Sequence, residues 1–245
     1  MKDRRIGFMQ GRLSERPGGR LQAFPAETWE REFSLARQIG LDCVEWVLET
    51  PPGPENPLWS PEGRFAIRAA SSSSGVSVSS VCADYFMSAS LSRPESVTIM
   101  KELILAAAHV GARRILVPLV EQAALSTEEL REGFRHGVRQ CLATAEAHSM
   151  VLGLEMEVPG AEYAAFVESF GHPLLRACYD TGNSAAQGFD IARDILPVIP
   201  FLDAIHVKDR MVGGTSQPLG AGQANFGGLF AALAAHDFRG DIILQ

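Results

Sequence analysis

Four polar residues in the second half of the sequence each stand at or near the end of a short apolar run. They are Glu155, Asp180, His206 and Gln245. A carboxylate at such a place is costly to bury unless it is paired or bound to a cation. Oxygen and imidazole groups without a thiolate favour Mn²⁺ or Mg²⁺, with Co²⁺ or Zn²⁺ as alternatives. Such a cation would polarise a substrate carbonyl and stabilise an enediolate, while an adjacent carboxylate moves the proton.

Other polar residues accompany these four and are predicted to contact the substrate. Lys208 lies two residues after His206, on the same strand face, so it is expected either to assist with a substrate oxygen or phosphate or to pair with a neighbouring carboxylate. Five further positions are predicted to bind substrate: Arg12, Glu45, Glu157, Asn183 and Arg210.

Each of these residues also has a purely structural interpretation. Asp180 precedes Thr181-Gly182-Asn183, and such residues also form an ordinary turn after a strand. A lone buried histidine is more often a satisfied core residue than a ligand, so the ligand assignment of His206 depends on its companions. Glu45 could simply be a polar end of a buried strand, and Arg12 a solvated arginine.

The elements that must position these residues alternate regularly along the chain. Runs with strand character occur at 6–9, 43–47, 76–82, 114–118, 150–155, 175–180, 202–207 and 241–245. Helical periodicity occupies 26–39, 60–74, 94–110, 126–148, 161–170, 191–198 and 226–236. Because each return to the same end of a sheet requires a crossover, this alternation predicts parallel strands.

Two architectures fit this alternation, an open doubly wound sheet and a closed (β/α)8 barrel. The sequence contains neither a GxGxxG after the first strand nor a GxxxxGK[ST], which removes the main support for a nucleotide-binding sheet. We therefore expect one α/β domain, a TIM barrel over residues 1–245, with its active site at the carboxyl ends of the strands. Since Gln245 ends the sequence, either the final helix is missing or the barrel is incomplete.

Composition narrows the class of partner. The 245 residues are 46% hydrophobic and carry a formal net charge of −7, which argues against a nucleic-acid or anionic-membrane surface. The four cysteines lack zinc spacing and are expected to be buried free thiols in a reducing cytoplasm. No apolar run is long enough for a membrane helix. These features predict a cytoplasmic protein with a small-molecule substrate, and they are compatible with a homo-oligomer.

Several motifs together resemble the xylose-isomerase-like sugar phosphate isomerase/epimerase superfamily, and most closely its ketose 3-epimerases. Glu155 lies on the fifth predicted strand, Asp180 in Tyr-Asp-Thr-Gly-Asn and His206 in His-Val-Lys-Asp. The segments 6–13 and 42–46 also resemble the start and second strand of such proteins. The resemblance implies a cation held by Glu, Asp, His and Glu from strands five to eight, with the two glutamates acting as opposed acid and base.

Two positions depart from that pattern. Gln245 stands where the second glutamate is expected, and an amide can offer an oxygen to a cation but cannot accept and return a proton. Ala221 stands where related proteins often have a glutamate between two glycines. The leading hypothesis is still a metal-dependent isomerase or epimerase of a sugar or sugar phosphate, with Glu155, Lys208 and Gln245 in the catalytic group.

Three alternatives stay open. A metal-dependent dehydratase would need only one base, and a catalytically decayed sugar-binding protein would explain Gln245 and Ala221. An endonuclease-IV-like repair enzyme is disfavoured, because the sequence has only six histidines and a net negative charge.

Overall fold

Eight parallel strands close into a barrel in the computed structural model, which describes residues 4–15, 23–49 and 55–245. Around the barrel the strand order is β1-β10-β7-β6-β5-β4-β3-β2. The barrel strands are β1 (Ile6–Met9), β2 (Cys43–Val47), β3 (Ser77–Cys82), β4 (Arg114–Leu119), β5 (Val151–Met156), β6 (Leu175–Asp180), β7 (Leu202–Val207) and β10 (Asp241–Leu244). The predicted TIM barrel is confirmed. Of the two alternatives, an incomplete barrel is excluded for the strands, because β1 pairs directly with β10.

Helices alternate with these strands. They are α1 (Trp29–Gln38), α2 (Pro61–Ser74), α3 (Pro94–His109), α4 (Glu128–Ala147), α5 (Gly160–Glu168), α6 (Thr181–Ala186), α7 (Ile191–Asp194) and α8 (Phe226–Ala235). Helix α6 was not predicted, and α7 is shorter than the 191–198 expected. Pro197 disfavours helical backbone at the residue before it, which accounts for the shortening. Within the described residues no helix is both long and apolar enough to cross a membrane.

Local sequence signals set the element boundaries. Thr127 caps α4 by accepting a hydrogen bond from the backbone N–H of Leu130, as its hydroxyl and the following glutamates predict. Gly75 ends α2 with a φ of 75°, a left-handed conformation that favours glycine. These two signals fix where α4 begins and where α2 ends.

The core has two layers. The larger one lies between the strands and the surrounding helices. A smaller cluster comes from side chains on the opposite face of the strands, inside the barrel: Met9, Cys43, Val47, Cys82, Leu116, Cys178, Ala204 and Ile243. All four cysteines are free and buried, as expected.

Charged residues fill the amino-terminal end of the barrel. Arg114 at the start of β4 is buried and forms ion pairs with Asp203 and Asp241, the latter at 3.0 Å. Arg5 binds the same Asp241 from outside, at 2.8 Å. The lower end of the barrel is therefore closed by paired charges rather than by apolar side chains.

A short antiparallel ribbon extends the chain beyond β7 at the other end. It pairs β8 (Asp209–Arg210) with β9 (Ser216–Gln217). Asp209 is buried, and its carboxylate accepts backbone hydrogen bonds from Gly220, Gly222 and Ala224, each at 2.9 Å. One side chain thus anchors the loop in which Ala221 lies.

Candidate active site

Three of the four predicted ligands converge at the carboxyl ends of neighbouring strands. Glu155 lies in β5, Asp180 ends β6 and His206 lies in β7. Each offers a ligand atom, and these atoms lie within 4.8 Å of one another. All three side chains are buried, with 5%, 3% and 0% of their surfaces exposed. Parallel pairing sets Asp180 directly beside His206, so the register itself brings the group together.

Gln245, the fourth predicted ligand, follows β10 and reaches the same imidazole. Its Nε2 lies 2.7 Å from Nδ1 of His206. That ring nitrogen is also 3.5 Å from a carboxylate oxygen of Glu155 and 3.9 Å from one of Asp180. Nδ1 of His206 is therefore the ring atom that faces the other ligands.

The other ring nitrogen of His206 points into the barrel. Its Nε2 lies 2.7 Å from Oε1 of Glu45, whose second oxygen accepts a 2.7 Å hydrogen bond from the Ser80 hydroxyl. Ser80 in turn accepts a 3.4 Å hydrogen bond from Arg114. We call the series His206, Glu45, Ser80 and Arg114 the polar column, and it runs from the site to the bottom of the barrel.

Glu45 consequently does not occupy the place that was predicted for it. Its side chain has no exposed surface and its oxygens contact His206 and Ser80, so in this structure it holds the imidazole instead of facing a sugar hydroxyl. A carboxylate that binds the second nitrogen of a metal-binding histidine fixes the ring orientation and tautomer.

Burial and neighbouring charges shift the ionisation of the site. Burial and the charge of Asp180 raise the pKa of Glu155 to about 8. Burial alone would lower the pKa of His206, but Cys178 and Glu45 raise it well above its usual value. Burial would raise the pKa of Glu45, but His206 and Arg114 hold it below the usual range. A cation beside Glu155 and Asp180 would relieve their repulsion, so the donor set and its electrostatics fit a divalent metal.

Lys208 contacts the ligand group directly. Its ammonium lies 2.9 Å from Oδ2 of Asp180. The hydroxyl of Thr181 donates to the backbone carbonyl of Lys208 at 2.6 Å and accepts from its N–H at 3.0 Å, which ties the start of α6 to this strand end. A Cβ at Gly182 would come within 2.9 Å of the Lys208 side chain, so any larger residue there would displace Lys208 from its position.

Helix α6 is formed by the predicted motif itself. Asp180 caps the helix by accepting a 2.8 Å hydrogen bond from the backbone N–H of Asn183. The turn and ligand interpretations of Asp180 are therefore compatible, because one oxygen caps the helix while the other faces Lys208 and His206.

Asn183 and Arg210 hold the carboxylate of Glu155 through a chain of hydrogen bonds. Asn183 donates a 2.7 Å hydrogen bond to Oε1 of Glu155 and accepts one of 3.0 Å from Arg210. Arg210 also lies 4.0 Å from Glu157. Both Asn183 and Arg210 therefore help to orient Glu155.

A pocket of about 310 Å³ opens above this group. Its lining includes all the predicted substrate-binding residues except Glu45, together with Glu155, Lys208 and Gln245. Asp84 and Cys82 also line it and were missed from the sequence. Asp84 follows β3 closely and is 5% exposed, so applying the strand-end rule to every strand would have found it.

Comparison with known proteins identifies the family. The model of the xylose isomerase-like TIM barrel family matches residues 33–245. The chain belongs to this family. The L-ribulose-5-phosphate 3-epimerase UlaE of Salmonella typhi is 28% identical to this xylose isomerase-like protein over 239 residues, covering 91% of this chain and 84% of the relative.

Solved structures show the same fold. A D-psicose 3-epimerase determined in the presence of D-fructose superposes on this family member with a TM-score of 0.78 and 14% identity, covering 98% of this chain and 84% of that one. A xylose isomerase-like TIM barrel protein from Mycobacterium smegmatis in complex with magnesium gives a TM-score of 0.74 at 17% identity, covering 98% and 89%.

Proposed function

We propose that this protein is a divalent-metal-dependent epimerase that moves a proton on the carbon next to the carbonyl of a ketose or ketose phosphate. The observation that carries the proposal is the buried group of Glu155, Asp180 and His206, of which Glu155 lines a pocket of about 310 Å³, large enough for a sugar. Similarity to UlaE and to D-psicose 3-epimerase, both named as 3-epimerases, supports the choice of reaction.

The residues that would hold the cation are Glu155, Asp180 and His206. Gln245, whose amide nitrogen contacts His206 in this structure, would join them through its amide oxygen after a rotation of the amide group. The cation would polarise the substrate carbonyl and stabilise the negative charge of the enediolate. Mn²⁺ and Mg²⁺ suit this oxygen-rich set, and Co²⁺ and Zn²⁺ are alternatives. The relative from Mycobacterium smegmatis that was solved with magnesium agrees with a hard cation.

Protein groups supply the remaining chemistry. Glu155 takes the proton from the substrate carbon, and Asn183 holds its other oxygen in place at 2.7 Å. Lys208 lies within reach of a substrate oxygen while it pairs with Asp180. Glu45 keeps the imidazole of His206 turned towards the site.

The rim of the pocket carries the residues that would select the substrate. Arg12 and Arg210 supply positive charge that suits a phosphate group, and Glu157 and Asn183 can accept or donate hydrogen bonds to sugar hydroxyls. UlaE is named for a phosphorylated sugar and D-psicose 3-epimerase for a free one, so both substrate classes belong in the test.

One observation favours a second candidate. Gln245 cannot carry a proton, and a metal-dependent dehydratase would need only the single base Glu155. The same residue, Gln245, is also compatible with a binding protein that retains the cation but no longer catalyses proton transfer. A nucleic-acid substrate is disfavoured by the net charge of −7. We expect a cytoplasmic enzyme, compatible with a homo-oligomer.

The experiment is proton exchange in D₂O, followed by ¹H-NMR on a panel of ketoses and ketose phosphates with Mn²⁺ or Mg²⁺. We expect deuterium next to the carbonyl and formation of the epimer. Glu155→Gln should lower both rates by at least about 100-fold, because its amide cannot accept the proton.

Glu168→Gln, a change of the same kind at an exposed position on α5, is the matched control and should leave both rates unchanged. Metal bound without exchange in any compound, but with loss of water from one, would identify the dehydratase. Absence of metal binding would contradict the ligand assignment.

A further inference from the structure

The loop that follows β1 carries Arg12, a cation that lines the pocket. In the order of the closed barrel, β1 lies four strands from β5 in either direction, which is the largest separation that eight strands allow. Arg12 and Glu155 therefore line the same pocket from opposite strands. A substrate whose reacting carbon lies at Glu155 would present its far end to Arg12.

Among the described residues, two further cations line the pocket, and both hold protein groups close to the predicted ligands. Lys208 lies 2.9 Å from Asp180, and Arg210 donates to the side-chain oxygen of Asn183 at 3.0 Å. The planar guanidinium of an arginine can donate two parallel hydrogen bonds to a phosphate group. The place of Arg12 therefore suits a phosphate at the end of the substrate remote from the reacting carbon.

A buried glutamate on α1 fixes the loop on both sides of Arg12. Glu32 is 1% exposed, and its carboxylate accepts hydrogen bonds from the backbone N–H groups of Gly11 and Leu13. The nitrogen of Gly11 lies 3.0 Å from each carboxylate oxygen, and that of Leu13 lies 3.1 Å from Oε1. The two donors are the residues immediately before and after Arg12, so this carboxylate sets the backbone from which the arginine projects.

The rest of the loop is held in a way that matches this contact. Gly11 has a φ of 85°, a left-handed conformation that favours glycine and lets nearby N–H groups converge on one anion. Gln10 joins the loop to β2, because its N–H donates to the carbonyl of Glu45 at 2.9 Å and its side-chain oxygen accepts from Val47 at 3.1 Å. The loop is thus fixed to the barrel on one side and to Glu32 on the other.

We propose that Glu32 is a positioning residue that holds Arg12 at the pocket, where Arg12 binds the phosphate group of a ketose phosphate. This inference rests on the proposed function and assigns it the phosphorylated class of substrate. Glu32 is not among the described residues that line the pocket, so its effect on the reaction acts through the loop of residues 10–14.

The first test uses the Mg²⁺-loaded enzyme and the ketose phosphate that the wild type converts fastest, beside the same ketose without phosphate. We expect kcat/KM of the wild type to be at least about tenfold higher for the phosphorylated compound. Arg12→Ala should raise KM for that compound by at least about tenfold and leave kcat within about threefold. KM for the unphosphorylated ketose should stay within about twofold in the same variant.

A double variant separates positioning from a merely structural role. Glu32→Gln sets an amide N–H against a backbone N–H, so the loop should shift and KM for the ketose phosphate should rise by about three- to tenfold. When Arg12 is already alanine, the same change should alter KM by less than about twofold, because the two residues act as one unit. Glu30→Gln, at an exposed position on the same helix, is the matched control and should keep the wild-type KM.

Hydrogen exchange tests the anchor without any substrate. The backbone amides of residues 8–14, followed by mass spectrometry, should exchange at least about tenfold faster in Glu32→Gln than in the wild type. Arg12→Ala keeps the anchor and should leave this exchange within about threefold of the wild type.

Three outcomes would overturn the inference. They are a wild-type preference for the unphosphorylated ketose, an undiminished effect of Glu32→Gln in the Arg12→Ala background, and unchanged exchange of residues 8–14 in Glu32→Gln. If the wild type converts no compound, the proposed function fails, and calorimetry with inorganic phosphate decides this inference separately. Arg12→Ala and Glu32→Gln should then each raise the dissociation constant of phosphate by at least about threefold, and no binding or no change would reject it.

Discussion

Asp84 shows how a buried carboxyl makes the stability of the fold depend on pH. Its pKa of about 6 is raised mainly by burial, whereas an unfolded aspartate ionises near pH 4. Below about pH 4 both the folded and the unfolded chain hold it protonated. Between these values the unfolded chain ionises first, so the contribution of Asp84 to the free energy of unfolding falls as pH rises to about 6.

Replacing the carboxyl should remove this pH-dependent loss. Above about pH 7, Asp84→Asn should unfold with a free energy about 2 to 3 kcal/mol higher than the wild type. At about pH 4 the two should agree within about 0.5 kcal/mol. Urea denaturation at both pH values measures the difference. An equal loss of stability at both values would show that Asp84 is held by its contacts rather than strained by its charge.

The position of Glu45 below His206 could not be predicted from the sequence. Strand alternation places its side chain on the same face as those of Cys43 and Val47, which lie inside the barrel. Alternation does not say how far below the mouth the residue lies. Pairing with Ser80 places it beneath His206, and this depth depends on the shear of the closed barrel.

Asp84 was missed for a different reason. The resemblance to a known family directed attention to strands five to eight, whereas Asp84 follows the third. The convergence of Glu155, Asp180 and His206 was predictable because each combines a polar, ionisable side chain with a clear strand end.

Among the elements, the loop between β8 and α8 carries much of the pocket rim. Arg210, Thr215 and Ser216 line the pocket, and Asp209 holds the loop through three backbone hydrogen bonds. A Cβ at Gly222 would come within 2.2 Å of the Asp209 carboxylate, so this close wrapping requires glycine at that position. The Gly-Ala-Gly segment is therefore a structural motif whatever residue stands at 221.

Replacing Asp209 should loosen this part of the pocket rim while leaving the predicted metal ligands in place. Asp209→Ala leaves three backbone N–H groups without their acceptor, at a cost of about 1 to 3 kcal/mol. We expect proteolysis within residues 211–224 to accelerate and KM to rise by about tenfold, with a smaller change in kcat. Limited proteolysis with mass spectrometry and steady-state kinetics would measure both effects.

Asp209→Asn keeps one acceptor oxygen and serves as the graded control, with an intermediate rate of cleavage. Unchanged proteolysis in Asp209→Ala would mean that the loop is held by other contacts.

The strands of the barrel and their parallel order could be predicted from alternation, and the absence of nucleotide-binding motifs favoured a barrel over an open sheet. All eight strands were found within two residues of their observed ends. Helix α6 was missed because its first four residues, Thr181 to Ser184, are of types with lower helix propensity than alanine. Its formation depends on the cap at Asp180 and on packing, and closure between β1 and β10 depends on long-range geometry that a local pattern does not contain.

The ion cluster at the bottom of the barrel should matter to the stability of the whole molecule. Arg114→Ala would leave Asp203 and Asp241 without this buried partner, at an expected cost of about 3 to 5 kcal/mol. Urea denaturation provides the measurement. Arg139→Ala removes an exposed arginine from a 3.3 Å ion pair with Glu132 and is the matched control, expected to cost less than about 1 kcal/mol. Equal effects from the two variants would contradict a central role for the cluster.

The polar column also bears on how such a site can be inherited or transplanted. His206 rests on Glu45, Glu45 on Ser80, and Ser80 on Arg114, which reaches the opposite end of the molecule. Copying the residues of the mouth onto another barrel would leave a buried histidine without a carboxylate to orient its ring and to set which ring nitrogen carries the proton. The residues that must be transferred together are therefore those of the mouth and those of the polar column. The loops around the mouth are not part of this unit and can vary in sequence.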